Sequence, residues 1–337
     1  MKHQKKIVLI VFIFIGVGLV FFSRYMSGNI AGSPATAITP FVEQKPSEVT
    51  PMAIAALRQR EYAGGDFVIE KTVSEGSDYQ QFIASYRADG FKIYGLLTIP
   101  TAPKPANGFP AIIFVHGYIP PAQYSTTKNY ANYQAVLARN GFVTFKPDLR
   151  GHGASEGEPV SAHFSEKYVI DTLEAVAYLK KHSAVDPTRI GYWGHSNGGE
   201  TGLRALVISK DIKAASLWAG VVGSFPDMLE TYNAKIPFLK NTTHPLVVNN
   251  GLPSTNLEFW NTIDPYTYLK DITARIELQH ATGDASVPVE LSRRLKEELI
   301  KEGKSVVYHE YRGDNHNISG NFGVAWKRTV EFFKKNL

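Results

Sequence analysis

Two periodicities alternate along most of this chain. From about Asp66 onward, short apolar runs give way to segments whose apolar positions recur every three or four residues, and the exchange repeats to the end. "FIASYRADGFKIYGLLTIP" reads as two strands, Phe82–Arg87 and Lys92–Ile99, joined at Ala88-Asp89-Gly90, where Asp-Gly suits a tight hairpin. "AIIFVHG" (Ala111–Gly117) is apolar throughout until it stops abruptly, as a strand buried on both faces does. "NYANYQAVLARNG" predicts a helix closed by Gly141, and "FVTFKPD" the next strand. "EKYVIDTLEAVAYLKKH" sets Val169, Leu173, Val176 and Leu179 on one helical face. "RIGYWG" is a strand and "GGETGLRALVI" the helix after it. "IKAASLWAG", "ARIELQH" and "SVVYHEY" are three further strands, while "PVELSRRLKEELIKEG" and "GVAWKRTVEFFKKNL" are amphipathic helices. Such alternation requires right-handed crossovers and predicts an α/β fold with a mostly parallel central sheet and helices on both faces.

The first 65 residues follow other rules. Lys2, Lys5 and Lys6 precede sixteen apolar residues, Ile7–Phe22, with Arg24 and Tyr25 behind them. A cationic start before an apolar stretch reads as a membrane anchor or a secretory signal over residues 1–26. The small-residue site Ala35-Thr36-Ala37 lies far from Phe22, which favours an uncleaved anchor; secretion after cleavage is the alternative. More lysines before the segment than after it place the bulk of the chain outside the cytoplasm. Pro34, Pro40, Pro46 and Pro51 mark a tether over residues 27–65, ending in a short helix within Met52–Tyr62. The main domain is then 66–337. Its segment from about Val221 to Asp271 lacks clear alternation and is rich in large apolar residues: Phe225, Met228, Tyr232, Phe238, Phe259 and Trp260. It reads as a lid-like insertion over a pocket, or equally as an insertion packed on the sheet edge.

Composition narrows the chemistry. The net charge of +5 includes the three N-terminal lysines, so the remainder is nearly balanced and no nucleic-acid partner is expected. The absence of cysteine excludes disulfides, thiolate-bound zinc and a thiol nucleophile. His244, His280 and His309 show no paired metal spacing, and neither a metal nor an organic cofactor is implied.

The stretch "RIGYWGHSNGGETGL" (Arg189–Leu203) carries the sharpest signal. Ser196 stands at a strand-to-helix junction with glycines two residues away on each side, Gly194 and Gly198. A nucleophile elbow needs this arrangement, because the turn is tight and neighbours with side chains would collide. A serine hydroxyl needs a base, and His316 in "YRGDNHNIS" follows the last strand. An orienting acid between them in the chain is Asp284, in "LQHATGDASVP"; Asp314 is a weaker candidate, since a loop aspartate is more often a turn former. His195 points off the elbow and reads as packing or local polarity. An oxyanion hole would use the backbone N–H of Asn197 and that of Gly117 or Tyr118 in the loop after the first buried strand. "PDLRGHGASEG" brings Asp148, Arg150 and His152 together, and reads as a loop pinned by hydrogen bonds beside the site.

"HGY", "DLRGHGAS", "GHSNGG", "HATGDASVP" and "GDNHNI", in that order, resemble the α/β-hydrolase superfamily, and most of all the catalytic domain of the prolyl oligopeptidase family with its acyl-peptidase and esterase relatives. The resemblance covers residues 66–337. It implies an α/β-hydrolase fold and a serine hydrolase acting on a short peptide, as a serine peptidase, or on small esters, as a carboxylesterase. Prolyl oligopeptidases carry a β-propeller before this domain, whereas residues 1–65 precede it here, so size-gated peptidase action is not expected to carry over. Ala281 stands where relatives have glycine, a small change beside Asp284. A non-catalytic binding domain of the same fold is the reading of another class; Ser196, Asp284, His316 and the elbow glycines together argue against it.

Overall fold

A computed structural model describes residues 50–66, 68–235 and 244–337. The N-terminal apolar segment, the tether as far as residue 49, and Phe238 lie outside the described residues; among those described, no helix is long and apolar enough to cross a membrane. The strands are β1 (Val68–Glu75), β2 (Tyr79–Ala88), β3 (Phe91–Pro100), β4 (Phe109–Val115), β5 (Val143–Pro147), β6 (Val185–His195), β7 (Ile212–Trp218), β8 (Arg275–Ala281) and β9 (Val306–Tyr311). They form one sheet in the order β1-β2-β3-β5-β4-β6-β7-β8-β9. From β5 through β9 all neighbours are parallel, and β1, β2 and β3 add an antiparallel edge. The hairpin expected at Asp89-Gly90 joins β2 to β3, with both residues at positive φ (49° and 80°) as a two-residue turn of this hand requires. The edge strand β1 was not legible as a strand.

Among the described residues there are eight α-helices: α1 (Ile54–Gln59), α2 (Ala131–Arg139), α3 (Lys167–Lys180), α4 (Asn197–Ile208), α5 (Pro245–Asn250), α6 (Leu257–Ile263), α7 (Val289–Lys301) and α8 (Phe322–Asn336). The two-residue alternation of a strand divides the core. Ile113 and Val115 of β4 join α1, α3, α4 and α7 on one face, while Ile112 and Phe114 join α2 and α8 on the other. On the second face Trp193 stacks on Phe114 at 4.1 Å and on Trp326 at 5.5 Å. The short helix α1 buries Ile54 and Leu57 in the first face, so the body extends upstream of Asp66.

The described part of the 221–271 segment is anchored. It holds a short π-helical turn (Asp227–Thr231), α5, α6 and a 3₁₀ stretch (Pro265–Asp271). Phe225, Met228, Trp260 and Ile263 are buried in the same core as the sheet, and the 3₁₀ stretch packs on α4 and α7.

The chain leaves β4 for β5 on one side and later enters β6 on the other. This reversal opens a crevice at the carboxyl ends of β4 and β6, where open α/β sheets place their ligands. The loop after β5 is pinned by buried charges, but Asp148 and Arg150 do not pair with each other. Arg150 donates to Asp171 of α3 (2.5 Å) and to Asp89 of the hairpin turn (2.8 Å). Asp148 accepts from the Tyr124 hydroxyl (2.6 Å) and the Thr126 hydroxyl (2.5 Å). A buried ion left without its partner costs about 3–5 kcal/mol, so each side chain is held to its own partners.

Candidate active site

Ser196 occupies a strained position. Its backbone lies at φ 55°, ψ −116°, outside the regions ordinary residues favour, and such positions cost roughly 1–3 kcal/mol that the surroundings must supply. Its N–H donates to the Trp218 carbonyl (3.0 Å), and its own carbonyl accepts from Gly199 (2.9 Å) and Val221 (3.1 Å). The glycines are required by contact. A Cβ on Gly194 would come within 2.4 Å of the Gly198 carbonyl oxygen, and one on Gly198 within 2.2 Å of the Val115 carbonyl oxygen. The turn therefore closes only with no side chain at either place, and it presents Ser196 at the start of α4.

Asp284 follows β8 and its carboxylate is fully buried. One oxygen accepts from the backbone N–H groups of Ser286 (2.8 Å) and Val287 (2.9 Å). The other accepts from His316 Nδ1 (2.7 Å) and from His280 Nε2 (3.1 Å). Burial pushes this carboxyl up, but hydrogen bonds from His280 and His316, with the charge of His316 and the Val287 N–H, hold it well below the ordinary carboxylate range. With Nδ1 of His316 facing a carboxylate, its Nε2 is the nitrogen left free to act as a base. Asp314 accepts instead from the backbone of Gly320 (3.0 Å) and Asn321 (2.8 Å), capping its own turn.

His195 links the serine to the histidine loop. Its Nε2 donates to the His316 carbonyl (3.0 Å), and the two rings lie 4.6 Å apart. Its Nδ1 accepts from the Tyr130 hydroxyl (2.7 Å). Burial, then the neighbouring His316, lowers His195 to about 3, so it is a neutral ring with one defined tautomer. The Tyr130 oxygen also accepts the Gly117 N–H (3.3 Å). That contact separates the two oxyanion candidates: Gly117 has its donor engaged, whereas the Tyr118 N–H has no partner among the described residues. Gly117 matters by its size, since a Cβ there would stand 3.0 Å from His195 Nδ1 and 3.1 Å from Ser196 Cβ.

Two participants escaped the sequence. Tyr130 opens α2 with φ 59°, and nothing local to "KNYANY" marks its hydroxyl as a tie between loops. Nothing in "LQHATGD" ties His280 to the acid; it lies on β8, four residues before Asp284, with Nδ1 accepting from Ser292 (2.7 Å) and Nε2 aimed at the carboxylate. Among the described residues, no cluster of three or more His, Asp or Glu side chains could hold a metal ion.

A strand-elbow-helix serine, a carboxylate-bound histidine and the reversal in strand order define a serine hydrolase on the α/β-hydrolase fold. The chain belongs to the prolyl oligopeptidase family, whose model matches residues 128–337. Its curated relatives include the uncharacterized peptidase YtmA of Bacillus subtilis (strain 168), 27% identical, with 68% of this chain and 84% of that protein aligned. Thiohydrolase aneE of Aspergillus aculeatus is 32% identical, but the match spans 43% of this chain and 40% of that protein. Among solved structures, the acetyl xylan esterase from Paenibacillus sp. R4 shares the fold with a TM-score of 0.66 at 18% identity, over 84% of this chain and 92% of that one.

The Asp284 cluster has a consequence for stability against acid. A carboxyl held below its unfolded value of about 4 contributes fully above that pH, and the contribution is lost as pH falls through the folded value. Asp284→Asn is expected to melt several degrees below the unaltered protein at pH 7. The gap should shrink steadily between pH 4 and pH 3 in thermal scans followed by circular dichroism.

Proposed function

We propose that this protein hydrolyses a peptide or ester bond through an acyl-enzyme on Ser196. The observation that carries the reading is the 2.7 Å bond from His316 Nδ1 to Asp284, tied to the strained serine through His195. His316 Nε2 removes the Ser196 hydroxyl proton as Oγ forms a bond to the scissile carbonyl carbon. The oxygen that gains charge sits between the N–H of Asn197, at the positive end of α4, and that of Tyr118. The tetrahedral species collapses, the bond to the leaving oxygen or nitrogen breaks, and that atom takes the proton from His316. Water then attacks the acyl carbon, losing a proton to His316; the acyl–Oγ bond breaks, Oγ takes that proton back from His316, and the acid is released. Asp284 keeps the imidazole in one tautomer and stabilises its cation, while His280 holds Asp284 from behind. The N-terminal segment Ile7–Phe22, after Lys2, Lys5 and Lys6, supports a membrane-anchored enzyme with its catalytic domain outside the cytoplasm. Small esters or short peptides are the expected substrates.

A fluorophosphonate probe should label the purified protein, and Ser196→Ala should abolish both labelling and turnover of 4-nitrophenyl esters and aminoacyl 4-nitroanilides. Persistent labelling of that variant would rule out Ser196 as the nucleophile. Tyr130→Phe removes the hydroxyl that fixes His195 and the Gly117 loop without touching substrate. It should lower kcat about tenfold with KM nearly unchanged, as steady-state kinetics will read. Expressed with its N-terminus intact, the protein should stay with membranes through alkaline carbonate; release into the supernatant would exclude an integral anchor.

A further inference from the structure

The near-balance of charge over the main domain conceals a segregation along the strands. Every parallel strand enters the sheet from the same end, so the loops that precede the strands gather at one pole and the loops that follow them at the other. At the amino ends, opposite the crevice, each strand except β5 is preceded by a lysine close by: Lys104 before β4, Lys181 before β6, Lys210 before β7, Lys270 before β8 and Lys304 before β9. The segments that leave the carboxyl ends, 116–130, 148–166, 219–235, 282–288 and 312–321, hold eight carboxylates and four cations instead. Some cations of the amino-end pole have local work. Lys180 and Lys301 stand in the last turns of α3 and α7, where they offset the partial negative charge of a helix end, and Lys180 also pairs with Asp211 (2.7 Å). The lysines before β7, β8 and β9 lie outside those turns.

These three lysines converge on an open cleft of about 540 Å³ between the end of α4, the approach to β8 and the turn before β9. Arg58, Lys210, Lys270 and Lys304 line it against one carboxylate, Asp271. Arg58 already holds that carboxylate (2.8 Å), and the Lys304 ammonium donates to the Lys270 carbonyl (2.5 Å) and keeps its charge. Lys210 and Lys270 are exposed, and their ammonium groups have no partner among the described residues. The floor is made of Leu206, Val207 and Ile272, all buried, so the charges stand around a wide opening and not around a deep pocket. Like charges gathered in this way repel one another, and an anion shared among them relieves the repulsion. A broad cationic face with a shallow centre fits a surface that carries many phosphates better than it fits one enclosed molecule.

We infer that this face docks on the surface of an anionic phospholipid bilayer, with Lys210, Lys270 and Lys304 against headgroup phosphates. The inference rests on the membrane anchoring proposed above. Residues 23–49, between the apolar segment and the described body, span at most about 100 Å even when fully extended, so an anchored body meets the bilayer repeatedly. Near an anionic surface each lysine adds to the attraction, while the acidic opposite pole is repelled. In the docked state Ser196, at the carboxyl ends of the strands, faces away from the lipid.

The chain has no cysteine, so a single introduced one carries a fluorophore without ambiguity. The full chain is reconstituted with bimane on Thr273→Cys, in the cleft, or on Ala122→Cys, in the loop after β4 at the other pole; both positions are exposed. Lipid spin-labelled at the headgroup is the quencher. At low salt, quenching at Thr273→Cys should be about threefold or more stronger in vesicles of mixed phosphatidylglycerol and phosphatidylcholine than in phosphatidylcholine alone. Ala122→Cys should be quenched weakly and equally in both. Lys210→Glu combined with Lys270→Glu, or about 0.5 M salt, should remove at least half of the difference. Equal quenching of Thr273→Cys in the two kinds of vesicle, or of the two labelled positions in anionic vesicles, overturns the docking face. Flotation with phosphatidylcholine vesicles at high salt reads the anchor alone. A protein that floats there without the anionic-lipid quenching keeps its anchor and loses the docking face. One that fails to float, yet shows the Thr273→Cys quenching when anionic vesicles are added, loses the anchor and keeps the face.

Discussion

The structure turns on one steric constraint: the approach of the α4 backbone to the end of β4, with no side chain between them. Gly198 lies against the Val115 carbonyl, and Gly194 against Gly198. Only this closeness lets the chain reverse within one residue, and only the reversal lifts Ser196 above the sheet at positive φ. The strain is confined by bonds from the neighbouring strand and from the turn after it. Gly199 repeats the device, for its added Cβ would meet Gly220 Cα at 2.5 Å. The position of the hydroxyl is thereby decided by backbone packing, and the side chains around it have only to be aligned.

That alignment combines one charged carboxylate with histidine rings held in place by hydrogen bonds. Asp284 is surrounded by four donors and stays ionised although buried. His195 and His116 have too little solvation to hold a proton and serve as fixed dipoles. A positive charge on His195, whose ring lies 4.6 Å from that of His316, would repel one on His316. The Tyr130–His195 pair joins the loops after β4, β6 and β9 through one hydroxyl and one ring, so these three loops share a reference frame.

Much of this was legible beforehand, because strands buried on both faces and amphipathic helices leave strong periodic marks. The parallel strands and their crossover helices lie where the apolar runs placed them, and Asp89-Gly90 marked its own hairpin. β1 was hidden because "VIEKTVSE" is an exposed edge strand, with charges where a buried strand would carry apolar residues. The roles of Tyr130 and His280 were hidden for a different reason: each is defined by what it touches across the fold. Tyr130 and His195 are 65 positions apart in the chain, and no local pattern encodes their contact. That the Gly117 N–H already has an acceptor in the Tyr130 hydroxyl is likewise a property of the folded loop alone. For Asp148 and Arg150 proximity in sequence misled, since each faces a different layer.

The seating of α1 bears on how load reaches the turn at Ser196. Arg58 donates to the Val207 carbonyl (2.6 Å) and to Asp271 (2.8 Å), at the far end of α4 from Ser196. Twelve helical residues separate those ends, about 18 Å. α1 is therefore seated at one end of α4, and Ser196 stands at the other. A load carried by Arg58 thus reaches the far end of α4 first, away from the turn that holds Ser196.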